Sequence, residues 1–412
     1  MVGDDTHPAG SSTFRLLCPE IGQRRFALHA TGRPRQVAIV QSALRRYREG
    51  FYEALRADLA RNDIDLLLFH STPLPHEDDR QDRLEVPWAT RLKRHAIPLG
   101  RRYLVSQQLH PRLRAVDLVV VEQASRLLLN YRLLWQQARG GPRVAFWGHG
   151  RDFTENRSSL GERAKASISR RVHWWFAYTS LSGDIVTDLG VDAARITVVN
   201  NAIDTTTLKA QIDAVDDARL AMLRQELGVG PGPVGLFLGT LRPDKHLEVL
   251  LEAGRRIRRE HPDFGLLVAG SGPLEDDVRR WAEQEPWLHY LGGRYGSDRA
   301  EVLALADLLL LPGWVGLVVL DAIVAGTPLI TSRDSPHGPE IAYLRDGENG
   351  LLVANGTDPD SYADAVTRTL DDPELLRSLV LGCAADRDLY SVEEMAGRFA
   401  DGIRQALDAP PR

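Results

Sequence analysis

From Val234 onward the chain alternates short apolar runs with amphipathic helical stretches, and this rhythm leaves few folds open. The runs lie at 234–238, 265–269, 288–291, 307–311 and 328–331. A strand that is apolar at nearly every position has no solvent face. It belongs in a parallel sheet covered by helices on both sides. The first unit shows the pattern most plainly. Val234, Leu236, Phe237 and Leu238 form the strand, Gly239 ends it, and Leu247, Leu250, Leu251, Gly254 and Ile257 then recur at helical spacing. Leu351–Val353 and helices at 359–370, 373–384 and about 391–407 follow.

The first half reads the same way. Gln36–Val40, Leu66–Phe69, Leu118–Val121, Val144–Trp147 and Ile196–Val199 are expected strands. A helix carries Phe51, Leu55 and Leu59 on one face, and another spans about 124–138. A chain of 412 residues exceeds what one core usually supports, so two domains are expected. Residues 1–34, rich in Gly, Pro, Ser, Thr and Arg, are expected to be a mobile arm with a local apolar patch at Phe14–Cys18. The first α/β domain then covers 35–204 and the second 205–390. Residues 391–412 form a helix expected to pack back toward the first domain. Polar, proline-bearing residues 72–95 read as an exposed excursion over a cleft. Asn200–Asp204 suits an interdomain hinge, followed by a helical segment at 206–227 and the linker Gly228–Pro233.

Composition excludes several functions. A net charge of −5 provides no basic field for nucleic acid. Cys18 and Cys383 are the only cysteines, so a disulfide framework is not expected and a cytoplasmic setting is. No apolar run is long enough for a membrane span, and no Cys-x-x-Cys or His-Glu-x-x-His marks a metal site.

Four stretches carry possible chemistry. Arg242 and Lys245 lie between the strand at 234–238 and its helix. Two cations oppose the macrodipole at a helix N-terminus, a conflict that an anionic ligand would remove; otherwise they are long basic side chains in a solvated loop. Gly148-His149-Gly150 ends a parallel strand, where open α/β sheets place ligands; a plain loop histidine is the alternative. Arg45, Arg46 and Arg48 cluster around Tyr47, as a ligand contact or as a solvated helix start. Residues 161–175 hold Arg163, Lys165, Arg170, Arg171, Trp174 and Trp175. They read as a helix with a basic wet side and tryptophans entering the next strand, or as a weak peripheral contact with acidic lipid.

In combination, these pieces resemble the family-4 (group 1) retaining glycosyltransferases of the GT-B fold, strongly over roughly 195–385 and more weakly over 36–190. The resemblance rests on Gly239-Thr-Leu-Arg242-Pro-Asp-Lys245, Val268-Ala-Gly-Ser-Gly-Pro273 and Ala306-Asp-Leu-Leu-Leu-Leu-Pro312. It also rests on Gly316-Leu-Val-Val-Leu-Asp321, Gly338-Pro339-Glu340, Asp346-Gly-Glu-Asn-Gly350 and Val198-Val-Asn-Asn-Ala-Ile-Asp204. It implies two Rossmann-like, doubly wound parallel-sheet domains with a cleft between them. The implied co-substrate is a nucleoside-diphosphate sugar, with no metal and no further cofactor. The implied acceptor is a hydroxyl of a glycan, a glycolipid or a small natural product.

The resemblance also distributes roles. Arg242 and Lys245 would hold the diphosphate, and His149 would sit near the reacting centre. Gly239, Thr240, Gly270, Gly272, Gly313, Trp314, Val315, Gly316 and Leu317 would line the donor site. Asp321 would bind ribose hydroxyls and Glu340 would lie near the sugar or phosphate. Arg45, Tyr47 and Arg48 would face the acceptor. Two departures stand out. The family's sugar-binding glutamate is Gly313 here, so backbone N–H groups of 312–316 and Trp314 are expected to meet the sugar. The family's Asn-Gly junction is Asn200-Asn201. A nucleotide-sugar epimerase and a non-catalytic nucleotide-sugar binder remain alternatives on the same fold. An NAD-dependent dehydrogenase fits worst, since no strand leads into a full Gly-x-Gly-x-x-Gly turn with its acidic partner.

Overall fold

The computed structural model describes residues 33–71, 84–99, 102–151 and 166–412. The expected arm at 1–34 lies outside them except for Arg33 and Pro34. So does the first half of the polar excursion at 72–95, residues 72–83. Arg35–Arg412 is one compact unit built on two parallel sheets.

The first sheet has the order β3-β2-β1-β6-β7-β8-β9. Its strands are β1 (Arg35–Gln41), β2 (Ile64–Ser71), β3 (Thr90–Leu92), β6 (Leu118–Glu122), β7 (Arg143–Gly148), β8 (Trp174–Ala177) and β9 (Ile196–Val198). A separate antiparallel hairpin, β4 (Arg94–Leu99) with β5 (Arg102–Gln107), stands beside it. The expected exposed excursion is thus partly strand. Its alternation is hidden by Arg and His at positions that need not be apolar when one face meets water.

The second sheet has the order β12-β11-β10-β13-β14-β15. Its strands are β10 (Val234–Leu238), β11 (Gly265–Ala269), β12 (Leu288–Gly292), β13 (Leu308–Leu311), β14 (Leu329–Ser332) and β15 (Gly350–Val353). Strands β10, β11, β13 and β14 are buried at every residue. The continuous apolar runs therefore reflect a sheet enclosed on both faces.

Among the described residues the first half carries α1 (Glu49–Ala60), α2 (Leu128–Gln137) and α3 (Ser180–Asp188), with residues 166–169 also helical. The join carries α4 (Thr205–Asp213) and α5 (Asp217–Leu227), where one helical segment was expected. Asp204 caps α4 by accepting from Thr207 N–H at 2.9 Å, which explains the Asp at the end of the junction motif. The second half carries α6 (Leu247–Glu260), α7 (Glu275–Gln284), α8 (Gly296–Leu305), α9 (Val318–Ala325), α10 (Pro359–Asp371) and α11 (Pro373–Asp386).

The last helix, α12 (Val392–Asp408), packs on α1 and against β8 and β9 of the first sheet. Phe399 stacks on Phe176 at 4.1 Å and meets Phe51 and Trp147 edge-on. Polar ties fix its far end, with Arg143 donating to Ala406 O at 2.8 Å and Arg404 pairing with Asp58 at 2.9 Å.

Each sheet reverses its winding once. β1 is flanked by β2 and β6, and β10 by β11 and β13. Ligands of doubly wound folds sit at the carboxyl ends of the strands at such points. The candidate residues lie there.

Candidate active site

At the carboxyl end of β10 the chain makes a turn that interlocks with the turn after β11. Leu241 N–H donates to Ser271 O at 2.9 Å and Leu274 N–H to Leu241 O at 3.1 Å. Gly270 has φ +159°, and a Cβ there would lie 1.8 Å from Gly239 O. At Gly272 a Cβ would lie 2.6 Å from Leu241 O. These two glycines admit the neighbouring backbone, so their requirement is met by the fold itself.

Arg242 and Lys245 follow on a single 3₁₀ turn, Pro243–Lys245. The helix after it starts from His246, whose φ of +54° breaks the path, and no side chain caps it. The exposed Arg242 guanidinium grips Asp244 with two bonds of 2.6 and 3.1 Å. Lys245 is buried and donates to Trp314 O at 2.5 Å. Burial, with Arg242 nearby, lowers its pKa to about 8 against the partial pull of Asp244.

The turn after β13 rests on this loop. A Cβ at Gly313 would lie 2.3 Å from Asp244 O and 2.4 Å from Lys245 C. The family's glutamate is therefore sterically excluded here by the loop that carries the two cations. Two of the four expected sugar-binding N–H groups are committed as well. Trp314 N–H donates to Asp244 O at 2.8 Å. Val315 N–H donates to His337 Nδ1 at 3.1 Å. The expectation that 312–316 meets the sugar through its backbone is corrected to that extent, because two of those donors hold the turn together.

His337 was not singled out from sequence. Since Nδ1 accepts from Val315, the proton is on Nε2, which donates to Ser332 O at 2.6 Å. Burial lowers its pKa, and Lys245 pushes the same way. The imidazole is thus a neutral brace. Val315 O in turn accepts from Gly338 N–H at 2.8 Å, which fixes the start of the next 3₁₀ turn, Pro339–Tyr343.

That turn carries Glu340, which is buried and accepts from Asn201 Nδ2 at 2.9 Å. Burial raises its pKa, while Asn201, its own backbone N–H and Arg48 oppose the rise. Asn201 Oδ1 accepts from Arg48 at 3.1 Å. Asn201 thus bridges a cation and a carboxylate, which a glycine at this junction could not do. Asn200 takes the left-handed backbone, φ +52°, that asparagine tolerates.

Arg48 corrects the reading of the 45–48 cluster. It is buried, with its guanidinium 4.4 Å from the Trp147 ring, and it also donates to Tyr178 Oη at 3.3 Å. Only Tyr47 and Arg46 are exposed, and Arg45 is half-buried. Tyr178 meets the His149 ring edge-on at 4.1 Å. A continuous set of contacts therefore runs from Lys245 through Trp314, Val315, Gly338, Glu340, Asn201, Arg48 and Tyr178 to His149. It joins the carboxyl ends of both sheets.

Asp321 lies outside this set, in the first turn of α9. It is buried, and Arg299 of α8 approaches its Oδ1 at 3.4 Å without a hydrogen bond. Burial outweighs that cation and raises its pKa to about 6. No side chain caps α9, whose N-terminal turn is Gly316 and Leu317, both half-buried. Thr240 is exposed beside the cation loop, and Gly239 before it is half-buried. Among the described residues no group of three or more His, Cys, Asp or Glu gathers to hold a metal ion. No helix among them is long and apolar enough to cross a membrane.

The tryptophans of the 161–175 stretch are buried in β8, Trp174 at 3% exposure and Trp175 at 0%. They supply no lipid-facing surface. Arg163 and Lys165 lie outside the described residues.

Comparison with known proteins agrees with this frame. Residues 232–372 match the family model of Glycosyl transferases group 1. A D-inositol 3-phosphate glycosyltransferase of Corynebacterium glutamicum is 32% identical over 204 residues, 46% of this chain and 47% of that protein. A GDP-mannose-dependent alpha-(1-6)-phosphatidylinositol monomannoside mannosyltransferase of Mycolicibacterium smegmatis is 32% identical over 212 residues, 47% and 54% of the two chains. The chain spans about half the length of the curated relatives it matches. Among solved structures, Anabaena HepE in complex with UDP superposes with a TM-score of 0.65 at 17% identity, over 90% of this chain and 99% of that one. Sucrose-phosphate synthase of Thermosynechococcus elongatus gives 0.62 at 17%, over the same shares. The chain thus has the GT-B fold, and its residues 232–372 match the model of the group 1 glycosyl transferases.

Proposed function

We propose that the protein is a retaining glycosyltransferase that moves a sugar from a nucleoside-diphosphate donor to an acceptor hydroxyl without a metal ion. The observation that carries this reading is the pairing of Arg242 and Lys245 at the winding reversal of the second sheet, braced on the turn before α9. Negative charge grows on the diphosphate as its bond to the anomeric carbon breaks. Two fixed cations and the uncapped start of α9 oppose that charge more strongly in the transition state than in the bound donor. Arg242 needs only to exchange Asp244 for phosphate. An exposed ion pair of that kind is worth about 1 kcal/mol or less, so the exchange is easy. Lys245 is already desolvated, so its attraction to a phosphate is little screened.

In this reading Asp321, whose buried Oδ1 has no hydrogen-bond partner, accepts from a ribose diol. Positive character on the sugar is met by Glu340, held from below by Asn201. In this reading His149, which meets the Tyr178 ring edge-on, serves the acceptor hydroxyl, which enters on the leaving-group face. The UDP and UDP-glucose complexes of the HepE neighbour support a nucleotide-sugar donor.

A thermal-shift panel of uridine, guanosine, thymidine and adenosine diphosphates tests the reading. One diphosphate should raise the melting temperature of the wild-type chain by several degrees, since a ligand at about 100 times its Kd adds about 2.7 kcal/mol. The same diphosphate should fail to do so in Arg242→Ala/Lys245→Ala. A response to none of them, or an equal response in the double variant, would remove the proposal. Conversion of the matching sugar donor to a different sugar in the absence of acceptor would mark an epimerase instead.

A further inference from the structure

Helix α2 presents its aromatic side to solvent. It buries Leu129, Asn130 and Leu133 against the first sheet. Tyr131, Arg132 and Trp135 stand outward instead, as does Arg139 just past the helix end; Trp135 lies four residues from both Tyr131 and Arg139 and three from Arg132. Trp135 is 58% exposed and Tyr131 41%. The Arg139 guanidinium lies over the Trp135 ring at 3.8 Å. At the end of α2, Gln137 donates to Arg171 O at 2.8 Å, which brings the exposed Arg170 and Arg171 alongside.

The charge of this region departs from that of the chain. Glu122 is followed by no acidic residue until Asp152, although the chain as a whole is acidic, with 56 Asp and Glu among 412 residues. Among the described residues no carboxylate pairs with Arg132 or Arg139.

We propose that the outer face of α2, flanked by Arg170 and Arg171, docks the protein on an anionic lipid bilayer. Indole and phenol rings have an apolar body and a polar edge, which suits the headgroup boundary. Arginines beside them meet lipid phosphates, and a helix so equipped lies flat in the interface. A protein partner fits less well. Ten helical residues span about 15 Å, and a few exposed side chains fall short of the roughly 800 Å² per partner of a stable complex. The inference goes beyond the transferase reading and does not depend on it.

Co-sedimentation of the full chain with vesicles tests it, using phosphatidylcholine alone or with about one-third phosphatidylglycerol. Binding should require the anionic lipid and weaken with salt. Arg132→Gln and Arg139→Gln should each weaken binding about fivefold. Trp135→Ser should weaken it at least as much, with the melting temperature of the lipid-free chain retained. Arg377→Gln, on the exposed surface of α11, should leave binding unchanged. Equal binding to neutral vesicles, no binding to anionic ones, or indifference to Trp135→Ser would overturn the proposal. So would a concentration-dependent dimer, seen without lipid by sedimentation and abolished by Trp135→Ser, because α2 would then be a self-association face.

Discussion

Under the proposed function, two buried ionisable groups set opposite limits on ligand binding. Lys245 loses its proton at about pH 8, well below an ordinary lysine, because burial disfavours the ammonium. Asp321 gains a proton at about pH 6, well above an ordinary aspartate, for the mirrored reason. An anionic ligand needs the lysine charged, so affinity should fall as pH rises through about 8. A ribose diol needs the carboxylate ionised, so affinity should also fall as pH drops through about 6. Titration calorimetry of the matching nucleoside diphosphate should therefore give a bell between those values. The phosphate itself titrates near pH 6, so variants assign the limbs. Asp321→Asn should flatten the acidic limb, and Lys245→Arg should carry the basic limb out of range. A basic limb that survives Lys245→Arg would assign it to another group.

At the scale of elements, the strands of the second sheet were legible because their burial on both faces writes an unbroken apolar run. The site loops were legible only as motifs. Arg242, Lys245 and Asp321 carry charge at element ends, where sequence reading looks first. The bracing of the Gly313 turn was not legible. Its logic is a steric fit between the 242–246 loop and the turn after β13, and His337 enters only because the fold returns it to Val315. Arg48 looked like a surface residue because an exposed and a stacked arginine have the same sequence signature. The hairpin at 94–107 was missed because one of its sides is wet. The Gly313 turn yields a test against family logic. Gly313→Glu, which restores the family residue, should lower the melting temperature and weaken diphosphate binding by tenfold or more, because its Cβ collides with the backbone at 244–245. Stronger donor binding in that variant, measured by calorimetry, would show that the turn can open to admit a carboxylate.

Over the whole molecule, the strand at Arg35–Gln41 and the helix at Val392–Asp408 belong to the same half. After completing the second sheet it returns through α12 to the first, where Phe399 fills the space between Phe51, Trp147 and Phe176. Phe399→Ala should cost about 3–5 kcal/mol, read by urea denaturation, although the residue is far in sequence from everything it supports. Trp147 also lies under Arg48, so the same aromatic cluster carries the contact set from His149 to Glu340. The return of α12 thereby bears on the candidate site without touching a ligand. The central claim is narrower than this architecture: Arg242 and Lys245 recognise a diphosphate. The most direct measurement is the ratio of affinities for a nucleoside diphosphate and its parent nucleoside, in the wild-type chain and in Arg242→Ala/Lys245→Ala. The account expects a preference of about a hundredfold or more in the wild type, from two charge-assisted contacts of about 1.5–3 kcal/mol each, collapsing to within a few-fold in the variant. An undiminished preference in the variant would contradict it.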